Sequence, residues 1–262
     1  MAKFDEDTVD IELLCGVLNE DGSLEKSCTI KSMTGGLRKK VAQPEMRKDG
    51  YKIINAVLDA CVVSVGGNPF TPSREAKRLL MADSDYLLLK IRQLSLGDHI
   101  DLDLKCPACG NSWGGTLEIG DIECFPMDDD DFKIEDFEAK FNVKTENWDC
   151  TVRLPNCEDQ KIIAKLAQNN PIAAQHQMYA RTILTSDGKK VDGKELMKQL
   201  DGLPVKYIDE LTDGINENLP GVETSHSADC PSCGQEVTME VSGADFLFSR
   251  PKARTKGKST IG

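Results

Sequence analysis

Two copies of the pattern Cys-Pro-x-Cys-Gly stand 124 residues apart, Cys106-Pro107-Ala108-Cys109-Gly110 and Cys230-Pro231-Ser232-Cys233-Gly234. Each sets two thiols on one tight turn, where proline stiffens the entry and glycine lets the backbone reverse. Thiolates bind zinc strongly and the ion takes four tetrahedral ligands. Two such turns brought face to face therefore make a closed Zn²⁺ site of Cys106, Cys109, Cys230 and Cys233. A closed site leaves no position for water or substrate, so its role is structural. It would tie residue 106 to residue 233, close the chain between them into a loop, and contribute on the order of 10 kcal/mol to folding.

Other readings of the same cysteines stay open at this point. Each pair can be completed separately by a histidine, His99 or His226, seven and four residues before its first cysteine. A redox dithiol needs Cys-x-x-Cys at a helix N-terminus, and neither copy is followed by a helical pattern. Cys15 and Cys28 fall opposite each other if a hairpin turns at Asp21-Gly22, which would allow a disulfide that a reducing compartment opposes.

The elements that position the turns are legible in part. The alternation Ile100, Leu102, Leu104 against Asp101, Asp103, Lys105 is a half-buried strand running into the first turn, and Trp113 to Ile119 returns from it. His226 to Asp229 and Glu236 to Val241 frame the second turn in the same way, so the four segments form a split zinc ribbon. Upstream, Ile11 to Ile30 reads as a β-hairpin around Asn19-Glu20-Asp21-Gly22. Met46 to Val65 reads as a helix carrying Ile54, Val57, Leu58, Cys61, Val62 and Val65 on one face. Helices over Ser73–Ala82 and Ser84–Leu94 follow. Between the ribbon halves come a short acidic helix over Phe132–Phe141, a strand over Asn147–Leu154, and helices over Glu158–Gln168, Pro171–Leu184, Lys194–Gln199 and Pro204–Asn218. The expected fold is α+β, with a helical C-terminal half. Its parts are an N-terminal β-hairpin (1–31), a helical part (32–97), the split ribbon (98–122 and 224–248), a mostly helical insertion (123–223) and a basic tail (249–262).

Composition narrows the function. The 262 residues carry a net charge of −12, and Arg250, Lys252, Arg254, Lys256 and Lys258 concentrate positive charge at the end. The rest of the chain holds 27 basic against 44 acidic residues. Such a surface repels phosphate backbones, and the ribbon strands themselves carry Asp101, Asp103, Glu118, Glu236 and Glu240. No apolar run is long enough to span a bilayer, and the acidic start is unlike a secretory signal, which points to a cytoplasm. There is no phosphate-binding G-x-x-x-x-G-K-[ST] loop, no G-x-G-x-x-G opening a helix, and no H-x-E beside the cysteines. Nothing marks a general acid–base pair. The expectation is a protein without catalytic activity.

The run Asp83-Ser84-Asp85-Tyr86-Leu87-Leu88-Leu89-Lys90-Ile91-Arg92-Gln93-Leu94-Ser95-Leu96-Gly97, followed by Cys106 to Gly110, resembles the baseplate protein family of T-even-like contractile-tailed bacteriophages. Thr34-Gly35, Leu154-Pro155 and the closing Cys230 to Cys233 with Phe246-Leu247-Phe248 fit the same family, over roughly Ser32 to Phe248. The basic tail does not belong to its pattern. The resemblance implies a structural or assembly role at the baseplate hub, and leaves open whether the chain acts only during assembly in the host cytoplasm or stays in the virion tail baseplate. It implies other tail proteins as partners and no catalysis of covalent chemistry, while composition speaks against a membrane and against nucleic acid. The alternative from the residues alone is a zinc-ribbon regulator that binds nucleic acid.

Overall fold

A computed structural model describes residues 8–19, 23–128, 133–135, 138–241, 243 and 247. The acidic run 129–131, Phe132, Phe246, Phe248 and the basic tail lie outside the described residues.

The chain opens with β1 (Thr8–Leu18) and β2 (Leu24–Lys31), then α1 (Gly35–Val41), α2 (Pro44–Arg47) and α3 (Gly50–Cys61). Next come β3 (Val62–Val65), β4 (Asn68–Pro69) and α4 (Met81–Leu96), and then the first cysteine hairpin, β5 (His99–Lys105) with β6 (Ser112–Glu118). A short strand β7 (Cys124–Phe125) leads to β8 (Lys133–Glu135), β9 (Glu138–Lys144) and β10 (Asp149–Arg153). After these follow α5 (Cys157–Asn169), α6 (Pro171–Thr182), β11 (Ile183–Ser186), β12 (Lys189–Lys190), α7 (Gly193–Gly202) and α8 (Val205–Asn216). The chain then forms β13 (Gly221–Val222) and the second cysteine hairpin, β14 (Ser225–Asp229) with β15 (Glu236–Glu240).

One plan is used twice. In the first half an antiparallel pair, β1 and β2, leads through helices to β3, which joins the sheet beside β2 in the order β1-β2-β3-β4. In the second half β9 and β10 lead through α5 and α6 to β11, which joins beside β10 in the order β12-β11-β10-β9-β8. The registers agree in detail. Cys28 pairs with Val65 and Cys150 with Ser186, and both ladders slip at the next step, between Thr29 and Ile30 and between Thr151 and Val152. The Thr29 hydroxyl donates to Asp10, and the Thr151 hydroxyl donates to Asn142. Thr34 caps α1 and Asn156 caps α5, each side-chain oxygen accepting backbone N–H groups of the first turn. Both halves turn tightly after the third strand, at Gly66-Gly67 (φ +57° and +76°) and at Asp187-Gly188 (φ +50° and +71°). This left-handed pair is what a two-residue hairpin loop requires. A helix then leads into a cysteine hairpin in each half, α4 into β5–β6 and α8 into β14–β15.

The helices form where caps and stripes agree. Asp49 accepts from the Lys52 N–H at the start of α3, which buries Ile53, Ile54, Val57, Leu58 and Cys61. Each such aliphatic side chain contributes about 1.5–3 kcal/mol on burial. One core gathers around α3 and α4, and a second around β9–β11, α7 and α8. Leu14 and Cys15 from β1 sit in the second core, while Cys157 and Val241 sit in the first, so the halves interlock.

Several expectations change. The helix expected to reach Val65 ends at Cys61, because the β-branched run Val62-Val63-Ser64-Val65 pairs with β2. The helix expected over Ser73–Ala82 is a series of turns. There Leu79 and Met81 exchange backbone bonds with Cys157 and Pro155 (2.9 and 3.0 Å), which holds the segment extended before α4. In place of the acidic helix is strand β9, where Ala139, Phe141 and Val143 are buried in strict alternation. The stretch 123–223 accordingly holds a five-stranded sheet as well as four helices, and is not mostly helical. Cys28 faces Ile11 rather than Cys15, because a bulge between Glu12 and Val17 shifts the register of the hairpin.

Candidate metal centre

The two cysteine turns have the same local structure. The Cys106 N–H donates to Asn111 O (2.8 Å) and the Gly110 N–H to Cys106 O (3.0 Å). The Cys230 N–H donates to Gln235 O (2.9 Å) and the Gly234 N–H to Cys230 O (2.8 Å). Gly110 and Gly234 take φ values of +74° and +69°, a left-handed conformation that glycine accepts at no steric cost. Behind the turns, β5 pairs with β6 from His99↔Glu118 to Lys105↔Ser112, and β14 with β15 from Ser225↔Glu240 to Asp229↔Glu236.

The turns meet. The sulfurs of Cys106, Cys109, Cys230 and Cys233 all lie within 4.8 Å of one another. Cys106 Sγ is 3.6 Å from Cys233 Sγ, and Cys109 Sγ is 3.7 Å from Cys230 Sγ. Zn–S bonds of about 2.3 Å in a tetrahedron set sulfur–sulfur edges of about 3.8 Å, so the spacing fits a four-thiolate ion. The close contacts are reciprocal, first cysteine of one half to second cysteine of the other, the pattern a local twofold axis produces. In each turn the first cysteine is buried and the second exposed.

Charge is prepared unevenly. The amides of Cys109 and Ala108 aim at the Cys106 sulfur, and they lower its thiol below the usual range against the cost of burial. Burial opposes ionisation of Cys230 too, but the amides of Ser232 and Cys233 outweigh it and bring that thiol down to about 6. The Gln235 amide favours a Cys233 thiolate, yet the crowding sulfurs of Cys109 and Cys106 push it up to about 12. Without a cation the cluster resists carrying more than part of its negative charge. A divalent ion removes that conflict.

Neither histidine joins the sulfurs. His99 Nδ1 meets a Glu118 carboxylate oxygen at 2.7 Å across the first hairpin, and His226 stands opposite Met239 in the second. The only described group of three or more candidate metal ligands is the cysteine set. His176 Nδ1 lies 3.1 Å from Asp201. The other six thiols are all raised by burial, Cys28 and Cys157 to about 12 and Cys61 to about 11, with Cys15, Cys124 and Cys150 raised as well.

Two buried carboxylates anchor the halves, and little in the sequence marks them. Asp83, at the start of α4, accepts the N–H groups of Cys15 (3.0 Å) and Gly16 (2.9 Å) and so pins the bulge of β1. Asp159 accepts from Arg153 (2.7 and 2.9 Å), Arg181 (2.7 Å) and the Asn156 N–H (3.0 Å). The first had no sequence signal, since its partners are backbone groups 67 and 68 residues away. The second was half visible, because Asn156 and Asp159 have the spacing of a capping box.

Compared with known proteins, residues 20–249 match the family described as T4 bacteriophage base plate protein. No curated protein and no solved structure matches the chain.

Proposed function

The chain belongs to the T4 bacteriophage base plate protein family, and on that premise we propose that it is a non-enzymatic part of the baseplate hub whose two halves are stapled by a structural zinc ion. Membership makes it a structural component of the virion tail that works through contacts with other tail proteins. No described helix is long and apolar enough to cross a membrane. The chain is made in the host cytoplasm and assembles there.

One observation carries the metal part of this reading. Four sulfurs from two turns 124 residues apart converge at the edge length of a zinc–thiolate tetrahedron. All four positions are filled by protein, so the ion holds structure and does not activate water. Cys106, Cys109, Cys230 and Cys233 are its ligands, and a closed tetrahedron of four thiolates is a set that zinc takes in structural sites, with iron the competing metal. The nucleic-acid alternative finds little support in the ribbon, where Asp103, Asp229, Glu236 and Glu240 are exposed on the strands.

Native mass spectrometry of the purified full chain tests the reading. The expected result is one zinc ion per chain and no disulfide, with the metal released only on unfolding or strong chelation. Two zinc ions, an iron ion or a metal-free folded chain would overturn the staple. The absence of the chain from purified tails and from their assembly intermediates would overturn the hub role.

A further inference from the structure

Among the described residues, the first half has an unpaired sheet edge and a groove at a place its repeat has closed. Val9, Ile11, Glu12 and Ile30 of the β1–β2 pair and Tyr86, Lys90, Gln93 and Leu94 of α4 line a groove of about 420 Å³. Val9 is 43% exposed there. Among the described residues no strand pairs with the outer edge of β1; further bonds to its backbone lie at its far end, where Leu14 O accepts from the Met127 N–H, the Cys15 and Gly16 N–H groups donate to Asp83, and Leu18 O accepts from Arg78.

The second half shows what this place looks like when satisfied. Val9 pairs with Ile30 as Phe141 pairs with Val152, so Phe141 is the counterpart of Val9, and it is 4% exposed. Leu87 and Ile91 of α4 correspond to the buried Leu211 and Ile215 of α8, which puts Gly214 where the first half has Lys90. A Cβ on Gly214 would lie 2.9 Å from both Val143 and Thr145 side chains, so α8 rests directly on β9. Lys90 is too large for that approach. Its ammonium sits 5.2 Å from the Tyr86 ring centroid and 3.4 Å from the Gln93 amide oxygen. The outer edge of β9 is also paired, by β8. The repeat therefore supplies an aromatic side chain, a close helix and an added strand, and the described residues of the first half supply none of them at this place.

We propose that the β1 edge and this groove receive an extended segment of another tail protein. That segment adds to β1 as a further strand and places a large apolar side chain between Val9 and Leu94. Main-chain bonds to an exposed sheet edge give such a contact its affinity, and the pocket gives it selectivity. Asp10 and Glu12 are exposed on the same strand, so the complementary segment carries Lys or Arg beside its apolar residue. A partner rather than a small ligand fits because unpaired backbone and apolar surface are offered together. The proposal rests on the reading of the chain as a tail component.

The test uses the full chain with a photo-crosslinking amino acid at position 9, in cells producing the tail. The expected product is a crosslink to an identified tail protein, mapped to an extended segment with a large apolar residue beside a basic one. In parallel, Val9→Glu should cut the yield of assembled tails about tenfold or more, the equivalent of about 1.4 kcal/mol in an affinity. Zinc content and melting temperature should stay at the wild-type values. A crosslink to residues 1–7 of the same chain, or to a second copy, overturns the proposal, as does a Val9→Glu chain that assembles normally. A wild-type chain that enters no tail assembly overturns the underlying reading, and it is distinguishable because it does so without any substitution at Val9.

Discussion

Asp83 in the first half and Asp159 in the second are both fully buried, yet their environments drive them in opposite directions. Around Asp83 burial dominates, and it raises the carboxyl to about 6 in spite of the N–H groups of Cys15, Gly16 and Leu14 and the charge of Lys26. Around Asp159 burial also opposes ionisation, but the guanidinium groups of Arg153 and Arg181 and the Asn156 amide more than offset it and hold the carboxyl below its ordinary value. The difference follows from the hairpins. The first half has a long β1–β2 pair whose bulge is anchored by backbone N–H groups donating to Asp83, with the charge of Lys26 the smallest of the influences that favour its ionisation. In the second half β9 and β10 are short, and the Trp148 indole N–H secures their turn by donating to Tyr207 O (2.7 Å) on α8. A unit used twice can therefore keep its topology while its polar anchors diverge.

The equivalence of the halves is most exposed at the cysteines. Cys106→Ser and Cys230→Ser remove corresponding ligands, so each should lower metal stoichiometry equally and forfeit a large share of about 10 kcal/mol of metal-linked stability. Urea unfolding with and without chelator, together with zinc quantification, measures this, and clearly unequal losses would break the correspondence. Asp159→Ala leaves Arg153 buried without its main partner and should cost about 3–5 kcal/mol at neutral pH in the same unfolding measurement.

The two carboxylates also predict opposite responses to acid. The depressed Asp159 contributes stability that is present above its ordinary value of 3.8 and is lost as pH falls through its lower folded value. The raised Asp83 does the reverse. Its charge costs stability increasingly as pH rises from 3.8 to about 6, and acidification through that window recovers up to about 3 kcal/mol. Comparing Asp83→Asn with wild type by denaturation at pH 4 and pH 7 isolates this. The expected result is a smaller stability gain on acidification in the variant. The smallest effect concerns the helix approach. Gly214→Lys gives the second half the first half's residue and should cost about 1–3 kcal/mol by forcing α8 off β9. Lys90→Gly should cost about 1 kcal/mol, chiefly from helix propensity, because its side chain contacts Tyr86 and Gln93 at the groove and holds no strand against α4.

The sequence showed the cysteine turns and their strands because alternation and Cys-Pro-x-Cys-Gly are local signals. It also showed α5 to α8 within a few residues, since each starts at a proline or a capping side chain. The repeat of the whole unit stayed hidden. Cys28-Thr29-Ile30-Lys31 and Cys150-Thr151-Val152-Arg153 occupy the same register, but hairpins of different length and turns in place of α7 break the spacing around them. The acidic residues before β9 mask its period of two, so the sequence pattern suggests a helix where the strand forms. The convergence of the sulfurs was inferred from ligand chemistry, whereas the groove depends on how closely two elements approach, which no local pattern encodes.

The distribution of thiols has a practical consequence. Of ten cysteines only Cys109 and Cys233 are exposed, and both belong to the cluster. A chromogenic aromatic disulfide added to the native chain therefore reports on that cluster nearly alone, and a bound cation would silence the signal. A colour change on simple titration would thus separate loaded from empty copies in any preparation, before a single particle is assembled.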